Sequence, residues 1–107
     1  MEGFVTPQNH VNFLAKKLFD NMEQTILDGS VAYLQKEGGG PCEVHTHEHN
    51  HLFIVVKGEA KIIVGSETII LSENESHLVN GSIPHSVWNN IEEETIMVGI
   101  STKSTNR

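Results

Sequence analysis

The apolar segments beyond residue 40 are all short, and each is bounded by residues that turn a chain. Cys42–His47, His51–Lys57, Glu59–Val64 and Glu67–Leu71 are followed by residues 76–79, 86–89 and 94–100. Between them stand Glu48–Asn50, Gly58, Gly65-Ser66, Ser72–Glu75, Asn80–Pro84 and Asn90–Glu93. Short runs separated by such residues read as strands. Parallel α/β layers would need a crossover helix of roughly a dozen residues between strands, and no interval here has room for one. The pattern predicts an all-β sandwich or barrel of roughly eight or nine strands.

The first forty residues read differently. Residues 1–8 form an irregular arm. Val11, Leu14 and Leu18 recur at helical spacing behind Asn9, a residue suited to an N-cap, which predicts a short helix over residues 10–19. Met22–Leu27 reads as a strand, Asp28-Gly29 as a turn into a second strand at Val31–Gln35, and Gly38-Gly39-Gly40-Pro41 as a break. With 107 residues and no repeat or linker, one domain over 1–107 is expected, with the core barrel at about 22–101 and the arm and helix in 1–20.

Composition removes several functions. Lys plus Arg number 7 against 14 Asp plus Glu, a formal charge of −7, so the basic stripe of a nucleic-acid binder is missing. No basic amphipathic helix and no apolar run near the roughly 18 residues of a membrane span is present, so no membrane partner is expected. A 37% apolar share argues against disorder. One cysteine, Cys42, precludes an intrachain disulfide, and no basic segment leads into an apolar run at the N-terminus. Both point to a cytoplasmic protein.

Four of the seven histidines occupy every second position: His45, His47, His49 and His51. Strand side chains alternate between faces, so His45 and His47 share one face of the 42–47 strand. Such a run can be a polar surface. Adjacent imidazoles fill a core poorly, however, and are good ligands for divalent metals.

The surrounding residues read Gly39-x5-His45-x-His47-x3-His51-x6-Gly58, which resembles the first motif of the cupin superfamily at every spacing. His51 stands where that family usually has glutamate. Pro84-His85-Ser86-Val87-Trp88-Asn89 resembles the second motif, with His85 on its metal-binding histidine and Asn89 on its closing asparagine. That motif's opening Gly-Asp is Asn74-Glu75 here, its proline is Asn80 and its second glycine is Ser82. The resemblance spans roughly residues 31–100. It implies a double-stranded β-helix, the jelly-roll-like barrel of RmlC-like proteins, with one divalent ion (Zn, Ni, Fe, Mn or Co) inside it and frequent dimers.

The implied ligands are His45, His47, His51 and His85. Four neutral imidazoles would leave the ion near +2, strengthening it as a Lewis acid. Alternatively three bind with His51 swung aside, or the site has decayed. Parity puts Glu43 inward with His45 and His47, as a proton acceptor at the rim or as a solvent-facing edge residue. His77 is either a base facing the ligand or an interior histidine held by hydrogen bonds. Phe53 and Val55 share the His51 face, Val87 and Asn89 share that of His85, and all four should line the pocket with Tyr33 and Met97. Leu52, Ile54 and Val56 then face outward and need covering, which favours a homodimer or the N-terminal segment. Trp88 points outward, as core cover or a dimer contact rather than a stacking platform, His49 sits exposed in its turn, and His10 carries no functional signal. The expected function is metal-dependent catalysis, of dioxygenase or isomerase type, on a small oxygenated molecule. The alternative is non-catalytic binding or sensing of a sugar or organic acid, because fold alone does not fix activity.

Overall fold

Short alternating segments become eight strands in the computed structural model, which describes residues 2–20, 25–46 and 48–104. In chain order they are β1 Val11–Phe19, β2 Ile26–His45, β3 Asn50–Lys57, β4 Glu59–Val64, β5 Glu67–Ser72, β6 Ser76–Val79, β7 His85–Asn89 and β8 Thr95–Thr102. All pairings are antiparallel, in the order β5-β4-β7-β2-β8-β3-β6, with β1 added to β2. This is the double-stranded β-helix that the resemblance implies. β4 and β6 have the expected bounds, and β3, β5, β7 and β8 differ by one or two residues. Among the described residues no helix is long and apolar enough to cross a membrane.

The expected helix over residues 10–19 does not form; these residues are β1. The strand pairs with β2 from Val11↔Gly39 to Phe19↔Gly29. A helix of this length is marginal alone, whereas β2 offers a row of backbone groups that would otherwise lack partners. Phe13, Ala15 and Lys17 alternate toward the interior, and that period of two outweighs the helical spacing of Val11, Leu14 and Leu18.

Two expected breaks also lie inside β2. Asp28-Gly29 is not a hairpin turn but marks a bulge, with the register slipping between Ile26↔Thr102 and Asp28↔Ser101. Gly38–Pro41 is where the strand changes partners: residues up to Leu34 pair with β8, and Gly39 to His45 pair with β7. Of the strand expected at Met22–Leu27, residues 22–24 lie outside the described residues, and Ile26 and Leu27 open β2.

Inward-facing residues make one core: Ala32, Leu34, Val55, Ala60, Ile62, Leu71, Val79, Val87 and Met97. Leu34, Val55 and Ile62 are wholly buried, and each such side chain contributes about 1.5–3 kcal/mol. At one end the barrel is pinned by hydrogen bonds. Asn89 Nδ2 lies within 3.0 Å of the carbonyls of Leu34, Gln35 and Glu93. The Thr95 hydroxyl donates to Asn89 Oδ1 at 2.7 Å and accepts from the Glu59 N–H.

Candidate metal centre

The other end of the barrel is open, with a cavity of about 420 Å3, within the roughly 300–1,000 Å3 range of small-molecule sites. Its histidines arrive on different strands. β7 lies between β2 and β4, so His85 is paired on both sides, with His45 and Val64, and is buried. Its Nδ1 lies 2.8 Å from the Ile83 carbonyl. A carbonyl can only accept, so Nδ1 carries the proton and Nε2 the lone pair that a metal would use.

His51 comes from β3, between Val79 of β6 and Ser101 of β8. β3 and β7 are three strand spacings apart in the sheet order, about 14 Å if the sheet were flat. Yet the rings of His51 and His85 have centroids 5.3 Å apart. They meet across the interior because the sheet curls, which two distant sequence segments cannot announce. The His51 ring stacks on Phe53 at 5.5 Å and 15° and lies edge-on to His49 at 4.8 Å.

The side chains of Val44 and His45, and all of His47, lie outside the described residues. Among the described residues no group of three or more His, Cys, Asp or Glu is arranged to hold a metal ion. The described pair does fit one. With metal–nitrogen bonds of about 2.1 Å and tetrahedral angles, two imidazoles on one ion have centroids roughly 5 Å apart. Asp28 is the one carboxylate among the described lining residues, and Lys17 lies 3.4 Å from it.

Phe53, Val87 and Met97 line the cavity. Three other expected lining residues do not. Val55 shares the His51 face but lies deeper, wholly buried in the core. Tyr33 faces away, with Ala32 taking the wall, and its ring meets Phe4 edge-on at 5.4 Å. Asn89 pins the closed end. Glu43 is exposed at the end of β2, and His77, half-buried on β6 opposite Phe53, stays off the cavity wall. Trp88 covers Gly39, where an added Cβ would come within 2.5 Å of the indole, and its Nε1 donates to Ser86 Oγ.

Two histidines gain a place that sequence reasoning did not give them. His49 is half-buried and lines the cavity rather than standing exposed in its turn, and His10 lines it from the arm before β1. For His49 the alternation with His51 was the available signal. For His10 no pattern in the sequence pointed to the site.

A family model described as "Cupin domain" matches residues 31–101. Among curated proteins none matches the sequence significantly. Of solved structures, a cupin domain of an XRE-family transcriptional regulator from Enterobacter cloacae superposes with a TM-score of 0.77 at 19% identity, covering 87% of this chain and 98% of that one. An RmlC-like cupin from Shewanella frigidimarina gives 0.73 at 18% identity, covering 96% and 85%. A conserved protein of unknown function from Streptococcus pyogenes gives 0.72 at 20%, covering 95% and 82%. At such identities the likeness is one of fold.

Proposed function

Because the chain belongs to the cupin-domain family, we propose that it is a metal-binding cupin that acts on a small oxygenated molecule as a dioxygenase or isomerase. The observation that carries this reading is the approach of His51 and His85 to 5.3 Å on the wall of one cavity. The Ile83 carbonyl holds His85 in the tautomer a metal requires. His45, His47, His51 and His85 would hold the ion.

A divalent ion with open positions would polarise a carbonyl or enediol and lower the pKa of bound water. The chain's own residues do the rest. Phe53, Val87 and Met97 make an apolar wall that excludes water from the ligand's carbon skeleton. Ser30 and Ser101 supply hydroxyls for its oxygens. Glu43 and His77 are off the cavity wall and take no part in this reading. Leu52 pairs with Leu78 across the outer face of β3 and β6, and Leu78 is 55% exposed, which supports burial of that face in a homodimer. A cytoplasmic location accords with the single cysteine.

Elemental analysis of the purified protein tests the metal directly. About one equivalent of Fe, Ni, Mn, Co or Zn is expected, lost in His85→Ala. Less than about 0.1 equivalent, with no uptake of Co(II) on reconstitution, overturns the reading. A sensing role is the second reading, favoured by the likeness to a regulator's cupin domain. Tight binding of a hydroxycarbonyl compound by metal-loaded protein, without turnover, would select it.

A further inference from the structure

One cavity imidazole belongs to neither motif. His10 precedes β1, and the arm that carries it is tied on both sides. Val5 and Ala15 exchange backbone hydrogen bonds at 2.9 and 2.8 Å, the Cys42 N–H donates to the Asn9 carbonyl at 2.7 Å, and the His10 N–H donates to the Pro7 carbonyl. Asn9 and Asn12 hold left-handed backbone at φ 63° and 48°, a conformation that asparagine tolerates better than most residues. The His10 side chain is fixed as firmly. Its Nδ1 lies 2.8 Å from the Gln8 carbonyl, and its ring meets Phe13 edge-on with centroids 4.5 Å apart.

The same ring fills the space above Gly40. A Cβ there would come within 2.8 Å of His10 Cδ2 and Cγ, so the glycine is required for close approach. Gly40 pairs with Val87, two residues from His85 on the same strand. His10 therefore lines the cavity beside the β7 segment that carries His85.

We infer that His10 is a ligand-contacting residue, accepting a hydrogen bond at Nε2 from the hydroxyl or enol O–H of a small hydroxycarbonyl ligand. With Nδ1–H committed to the Gln8 carbonyl, Nε2 carries the lone pair and selects a donor. Hydroxycarbonyls combine that donor with a carbonyl for the histidine end and a short carbon skeleton for the wall of Phe13, Phe53 and Met97. The choice of ligand rests on the metal-binding reading; the tautomer and position of His10 do not.

The test uses the full chain loaded with Co(II), and hydroxyacetone as the probe, a neutral hydroxyketone that keeps its O–H at neutral pH, with methoxyacetone as the control that lacks the donor. Binding is followed by the cobalt absorption spectrum. His10→Phe keeps the ring against Phe13 and Gly40 but removes the nitrogen, and His10→Gln returns an acceptor near the place of Nε2. We expect His10→Phe to weaken hydroxyacetone about 10-fold, the effect of one lost hydrogen bond. Co(II) affinity and methoxyacetone binding should not change, and His10→Gln should recover most of the loss. Equal hydroxyacetone affinity in wild type and His10→Phe overturns the inference. If the protein takes no Co(II), the metal reading fails by itself, and hydroxyacetone is titrated into metal-free protein with 15N detection of the imidazoles. A hydroxyacetone-dependent shift at His10 Nε2, from an Nδ1–H tautomer, then upholds the contact. No shift there overturns it.

Discussion

β7 and β8 each run from one end of the barrel to the other, and the two ends are built on opposite principles. β7 begins at His85 and finishes at Asn89; β8 begins at Thr95 and finishes at Thr102, next to Ser101. At the Asn89–Thr95 end the polar groups answer one another, and Thr95 has no exposed surface. At the His85–Ser101 end imidazoles, hydroxyls and one ion pair surround space the protein does not fill. Among the described residues no buried side-chain polar atom lacks a partner. The difference teaches where stability and chemistry are kept. One end closes the fold, and strands fixed there can present side chains at the other with little freedom.

The comparison breaks most readily at Leu34, wholly buried next to the closed end and paired with Thr95. Leu34→Ala should lower unfolding free energy by about 3–4 kcal/mol, through lost burial and the cavity left behind. Urea titration measures it. Co(II) uptake per folded molecule should not change, and a parallel fall in uptake would show that the two ends are not separable.

Asn89→Ala should cost somewhat less, about 3 kcal/mol. It leaves the carbonyls of Leu34, Gln35 and Glu93 without their shared donor and the Ile91 N–H without its acceptor. Hydrogen exchange at Ile91 should accelerate in the variant, while exchange around His85 keeps its wild-type rate. Acceleration confined to the histidine end would contradict the role assigned to Asn89.

The closed end also explains how much the sequence discloses. β3 to β8 are legible because each is short and bounded by turn residues, and their bounds are set locally. β1 is not, since nine residues carry both a helical and an alternating pattern. The decision falls to the edge of β2, a partner distant in sequence. The glycines at 38–40 mislead for the same reason. They read as a break, but Gly38, Gly39 and Gly40 serve the close approach of Asn12, Trp88 and His10 in turn, which only the folded chain brings near. In the site, His51 and His85 are legible from motif spacing. Parity alone cannot say how deep along a strand the cavity ends, so Val55 and Asn89 have the right face and the wrong depth. His10 has no spacing relation to the other histidines, and only Gly40 beneath it records its presence.

The smallest effect sharpens the comparison at the open end. Lys17 and Asp28 form an ion pair at 3.4 Å, with side chains 50% and 29% exposed, and both line the cavity. Water screens such a pair, and holding a long lysine side chain in one rotamer opposes the attraction. Lys17→Ala should therefore change unfolding free energy by no more than about 0.5 kcal/mol, and the difference should shrink further in roughly 1 M salt. Matched urea titrations at low and high salt decide it. A loss as large as that at Asn89 would mean that the open end also carries the fold. Near-zero loss leaves Lys17 and Asp28 as rim charges whose effect is on what enters the cavity.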